Sequence, residues 1–136
     1  MSAGRFLQWQ WSGYRAAHQN KTNLFVHIIA VPLFMVATVL AFYALVRLSF
    51  FSFVFSVLGF IVSLLMQGRG HKLEPVAPQS FTSGFDFVRR ILAEQWITFP
   101  RYVITGGWSK ALRRGSRDGP GHIERNSDPQ QDPQLP

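Results

Sequence analysis

Two short polar segments hold the side chains able to do chemistry. The first is His18-Gln-Asn20-Lys-Thr-Asn23-Leu-Phe-Val-His27, and the second is Gln67-Gly-Arg-Gly70-His71-Lys-Leu-Glu74-Pro. Asn20, Asn23 and His27 stand three and four apart and share one face of a helix. His18 lies before the helix start and can fold back toward them. Gln67 and His71 are four apart and His71 and Glu74 three apart, so all three project together if their helix runs past Met66. Neutral imidazole and carboxylate suit iron(II), manganese and zinc. An open-sided His/carboxylate set is the usual non-haem iron arrangement for oxygen chemistry. The amides of Asn20, Asn23 and Gln67 would orient the imidazoles from behind. Spacing alone fits equally well with interfacial histidines, capping asparagines, and Glu74 paired to Lys72 or Arg69, because no compact signature such as H-E-x-x-H is present. His122 stands in a polar tail and is set aside. Nothing forms a Ser–His–Asp or Cys–His nucleophile pattern, and Gly68 and Gly70 lack the rest of a phosphate loop.

The elements that must bring these segments together are two apolar runs. Between Leu24 and Met66 the only charged residue is Arg47. Leu24–Val46 makes about 35 Å of helix, enough to cross a hydrocarbon core of about 30 Å. The cap is Asn20 or Thr22, and Pro32 predicts a kink near Ile28–Pro32. The second span is expected from Phe50 to Met66. The connection Arg47-Leu48-Ser49 is too short to recross a bilayer, so the two spans at about 24–46 and 50–66 form an antiparallel transmembrane hairpin. Small residues mark the faces that meet: Ala30, Ala37, Ala41 and Ala44 on the first span, and Ser52, Ser56, Gly59 and Ser63 on the second. Extended past the apolar runs, the two stripes lead into both polar segments. Three of the four histidines and Glu74 therefore gather at one end of the hairpin.

The remaining chain reads as interfacial and polar. Phe6, Trp9, Trp11 and Tyr14 among Arg5, Gln8, Gln10 and Arg15 suit a short helix at the headgroups. Pro75 and Pro78 break the second helix. Phe85, Val88, Leu92, Trp96, Phe99 and Val103 then keep helical spacing, predicting an amphipathic helix over about 85–112. Pro100 and the charges of Glu94 and Arg101 argue against a third span, leaving an interfacial or re-entrant segment. Residues 115–136 lack periodicity and read as a disordered tail, so 1–114 forms a single all-α membrane domain. The formal charge is +7, and ten of the fourteen Lys/Arg residues follow the second run. That asymmetry matches the positive-inside rule, placing both termini on the cytosolic side of a bacterial inner membrane or the endoplasmic reticulum. It calls for no nucleic-acid partner. Cysteine is absent, which excludes disulfides and thiolate metal sites. The first residues carry no apolar core with a small-residue cleavage site, so no cleaved signal is expected.

The pattern His-x-Asn-x-x-Asn-x-x-x-His, an apolar stretch with Pro32, then Gln-x-x-Gly-His-x-x-Glu-Pro resembles the membrane 2-hydroxy fatty acid dioxygenase family. The likeness runs over about residues 9–108. It implies an iron(II)-dependent α-oxidation in which molecular oxygen shortens a 2-hydroxy long-chain fatty acid by one carbon. Carried over by position, His18, His27 and His71 are the implied iron ligands, with Glu74 a ligand or supporting base. Asn20, Asn23 and Gln67 become supporting groups. Arg69, Lys72 or Arg15 would meet the substrate carboxylate. The sequence departs from the family in lacking a clear hydrophobic stretch near its carboxyl end. Two other functions remain open on the sequence: a non-enzymatic lipid-binding or assembly protein holding no metal, and a zinc enzyme hydrolysing lipid. Homo-oligomerisation is also left open.

Overall fold

The structure is a computed structural model that describes residues 2–14 and 17–114; every regular element among them is helical. Arg15 and the tail from 115 onward, with His122, lie outside the described residues. After helix α1 (Ala3–Tyr14), residues 17–20 form a short irregular segment carrying His18. Helix α2 (Lys21–Arg47) begins at Asn20, whose side chain accepts hydrogen bonds from the amides of Thr22 and Asn23. Such a cap satisfies donors that the first turn leaves free. The helix runs unbroken through Pro32, which lies on its exposed side. It ends where Leu48 adopts a left-handed conformation (φ 49°), and Ser49 at once caps α3 (Phe50–His71) through Ser52. Helix α3 thus continues past Met66 and carries Gln67, Gly70 and His71 on regular backbone.

Contacts between α2 and α3 fall along the small-residue stripes. Ser63 Oγ donates to Ala30 O at 2.7 Å, and Gly59 lies so close to Ala37 that an added Cβ would stand 2.9 Å from its Cβ. Gly70 is packed just as tightly on Asn23 Oδ1, with no room for a side chain between them. Positions fall along α3 as they rise along α2, so the two helices run antiparallel. Ala30, Ala37, Ala44, Ser56 and Ser63 are buried in this seam. The outward faces are covered with large apolar groups left in the open: Val46 is 81% exposed and Phe51 75%, with Val39, Phe42, Leu45, Phe55, Leu58 and Ile61 alongside. Both helices are long and apolar enough to cross a membrane.

Where the spacing predicts one amphipathic helix over about 85–112, the structure has several pieces. Helix α4 (Gly84–Ala93) passes into a π-helical turn, Glu94–Thr98, then α5 (Phe99–Ile104); Gly106 at φ +73° breaks the chain before α6 (Gly107–Arg114). Pro100 gives the reason for the wide turn. It has no N–H, and its ring would crowd the carbonyl of Trp96 four residues back, whereas the π turn lets Phe99 N reach Glu94 O instead. Tyr14, Leu24, Val31, Phe99 and Tyr102 form the core that joins α1, α2 and α5. Trp108 from α6 closes it by donating Nε1–H to Leu24 O at 3.0 Å.

Candidate metal centre

Four side chains from four separate stretches of chain converge beneath α1. His18 comes from the α1–α2 connection, His27 from the second turn of α2, His71 from the end of α3, and Glu94 from the π turn. One ligand atom from each lies within 4.8 Å of all the others. Glu94 Oε1 is 3.6 Å from His18 Nε2, 3.5 Å from His27 Nε2 and 4.0 Å from His71 Nε2. His18 Nε2 and His27 Nε2 are themselves 3.3 Å apart.

The tautomers of two rings follow from their other nitrogens. His18 Nδ1 stands 2.9 Å from Tyr14 O, and His27 Nδ1 stands 3.0 Å from Asn23 O. A carbonyl oxygen only accepts, so each Nδ1 carries the proton and each neutral ring turns a bare Nε2 lone pair inward. Burial drives the His18 pKa down to about 3; Glu94 opposes the shift and the other two imidazoles add to it. For Glu94, burial pushes the carboxyl up, and what holds it below the usual range is positive charge in the cluster, a donor on His27 first and charge on the imidazoles after it, the place a cation takes. Neutral imidazoles around an anionic carboxylate are the protonation states a divalent cation requires. Glu94 Oε1 is buried and accepts no hydrogen bond from the described residues. A lone-pair donor set of three nitrogens and one orphaned carboxylate oxygen therefore fits a divalent metal, with borderline N/O preferences shared by iron(II), manganese and zinc.

The surroundings fix these ligands. Glu74, buried, lies away from the cluster and clamps the chain around His18: it accepts from Gln19 N at 2.8 Å, from Asn20 N at 3.0 Å and from Asn23 Nδ2 at 2.6 Å. Asn20 Nδ2 adds a bond to Leu73 O at 3.1 Å. The start of α2 is in this way strapped to the end of α3, which brings His18 and His71 together. Gln67 is likewise a support. Gln95 Nε2 donates to Gln67 Oε1 at 2.6 Å, and Gln67 Nε2 donates to Ser63 Oγ at 3.0 Å. Tyr14 stacks on the His18 ring with centroids 3.9 Å apart. Burial first, then the Glu94 charge, push the Tyr14 hydroxyl pKa well up.

The sequence thus points to His18, His27 and His71, and the structure places them together. It puts Glu94 where the motif pattern suggests Glu74. The signal for Glu94 is compositional: it is the one acidic residue in the largely apolar stretch from Ile91 to Val103, and a carboxylate set there is costly unless it has a task. Of the cations expected to meet a substrate carboxylate, Lys72 lines the adjoining cavity, Arg69 is exposed outside it, and Arg15 is not among the described residues. That cavity, about 550 Å³, is walled by Trp9, Leu64, Phe81, Phe87 and Ile91 and reaches His18, His71 and Glu94; His27 is sealed behind them.

The model of the Mpo1-like family, described as 2-hydroxy-palmitic acid dioxygenase Mpo1-like, matches residues 5–97, a span holding all four cluster residues. The chain belongs to this family. No curated protein and no solved structure gives a match. The family description suggests a 2-hydroxy fatty acid dioxygenase, and the His/Glu cluster is able to hold a metal ion.

Proposed function

We propose that the protein is an iron(II)-dependent dioxygenase that shortens a 2-hydroxy long-chain fatty acid by one carbon, and that α2 and α3 form a transmembrane hairpin holding the metal centre at one membrane face. The observation that carries the metal is the pair of Nε2 lone pairs on His18 and His27, 3.3 Å apart with both Nδ1 protons committed to carbonyls. Two lone pairs at that distance repel unless a cation stands between them. The family description supplies the substrate class. The bilayer is supported by the large apolar side chains left exposed along α2 and α3, since contiguous apolar surface marks a membrane or partner contact.

In this reading His18, His27, His71 and Glu94 hold the metal, while the cavity gives the substrate access from the His18–His71–Glu94 side. Bound iron(II) supplies the activation of molecular oxygen for cleavage between C1 and C2. Trp9, Leu64, Phe81, Phe87 and Ile91 receive the acyl chain near its head and keep water out. Lys72, at the rim, draws the carboxylate inward. Glu74 keeps His18 in place without touching the reacting atoms. The test is detergent purification with iron(II), followed by 2-hydroxypalmitate and oxygen. The expected product is the acid one carbon shorter, abolished by His27→Ala and His71→Ala. Protein that retains no metal, or variants that turn over like wild type, would sink the proposal.

A further inference from the structure

Helix α1 carries two buried polar atoms that nothing among the described residues satisfies: Gln10 Oε1 and the Tyr14 hydroxyl. Both residues line the same cavity as His18, His71 and Glu94. Four positions apart, they lie on one face of α1, about 6 Å from one another along its axis. Neither orientation is accidental. Gln10 Nε2 donates to Arg90 O at 3.0 Å, which fixes the amide and leaves its oxygen as the unused acceptor. The Tyr14 ring is held between His18, stacked at 3.9 Å, and Tyr102, edge-on at 5.2 Å. Buried groups without partners are rare because each forfeits its hydration, so two in one cavity indicate that a ligand completes them.

We infer that Gln10 and Tyr14 bind the oxygenated head of the substrate, Tyr14 donating its hydroxyl to a carboxylate oxygen and Gln10 Oε1 accepting from the 2-hydroxyl. The chemistry is complementary: a 2-hydroxy acid offers one acceptor group and one donor on neighbouring carbons, and α1 presents one donor and one acceptor. This assignment rests on the proposed function and adds to it the residues that read the hydroxylated head. Gln10 is then what separates a 2-hydroxy acid from the plain acid, since only the former can donate to its oxygen.

The experiment uses the iron(II)-loaded full chain in detergent, without oxygen so that nothing turns over, titrated calorimetrically with 2-hydroxyhexadecanoate and with hexadecanoate. Tyr14→Phe is expected to weaken both acids about tenfold or more, as loss of a hydrogen bond to a charged group does. It should keep wild-type iron content, and its melting temperature without ligand should equal or exceed wild type, because an unpartnered hydroxyl has been removed. Gln10→Leu should reduce the preference for the hydroxylated acid by about two- to tenfold, a ratio that general damage leaves unchanged. Unaltered affinities in Tyr14→Phe, or loss of its iron or thermal stability, would overturn the inference and show that Tyr14 serves only to pack His18. An unaltered preference in Gln10→Leu would do the same for Gln10. Wild type that holds iron but binds both acids equally also overturns it while leaving the metal centre standing, whereas wild type without iron overturns both.

Discussion

His18 and His27 present their Nε2 atoms to each other across 3.3 Å, while Tyr14 O and Asn23 O hold the proton on the far side of each ring. The backbone therefore decides the tautomers before any ligand arrives. Two bare nitrogens and the orphaned Oε1 of Glu94 form a site whose electrostatic repulsion falls only when a cation enters.

Metal removal is consequently expected to lower stability. A chelator should reduce the melting temperature of the purified protein, and iron(II) should restore it in a concentration-dependent way, as binding to the folded state alone requires. Glu94→Gln should weaken metal binding by at least the roughly 10–100-fold typical of losing a supporting group. Equal metal affinity in Glu94→Gln would remove the carboxylate from the site.

Glu74 predicts the opposite pattern. Its two oxygens accept from two backbone amides and from Asn23 Nδ2, bonds made to a charged acceptor. Glu74→Gln turns a donor toward these N–H groups, and the expected loss is about 2–3 kcal/mol of stability with or without metal. Thermal melts of the chelated protein measure this directly. A variant as stable as wild type would show that the strap between α2 and α3 does not depend on Glu74.

The contrast between the two glutamates shows what was legible in the sequence. Spacing within a helix is a local property, so the shared face of Asn20, Asn23 and His27 and the seam of Ala30, Ala37, Ser56 and Ser63 could be read directly. Glu74 lay at helical spacing from His71, but the helix ends at His71 and the chain turns before Glu74. Three residues on without helical backbone no longer means the same face. Glu94 reaches the cluster because Pro100 widens the turn that precedes it, a consequence of backbone sterics that side-chain periodicity does not record.

The start of α4 gives a pH prediction. Asp86 accepts from Arg89 Nη2 at 2.8 Å and from Thr82 N at 3.2 Å, and the Arg89 bond chiefly holds its carboxyl below the usual range. A carboxyl whose folded pKa is depressed stabilises the fold above its unfolded value of about 3.9, and that contribution disappears as pH falls through the lower folded value. Between about pH 5 and 2, wild type should therefore lose melting temperature more steeply than Asp86→Asn. Parallel curves for the two proteins would assign the acid sensitivity to other groups.

The last prediction concerns the amide pair behind the metal. Gln95, fully buried, donates to Gln67 at 2.6 Å; Gln67 donates to Ser63, and Ser63 to Ala30 O. This chain of hydrogen bonds runs from α2 through α3 to the residue beside Glu94, anchoring the π turn. Gln95→Leu alone leaves Gln67 Oε1 without its donor while Gln67 Nε2 still donates to Ser63, and should cost about 1–3 kcal/mol. Replacing both partners by leucine removes the unpaired group, so the double variant should recover much of that stability. Metal affinity should behave differently, remaining about 10–100-fold below wild type in both variants because the turn carrying Glu94 has lost its anchor. Melting temperature and metal titration on the two variants separate these effects. Stability and metal affinity recovering together in the double variant would reduce the pair to a packing contact.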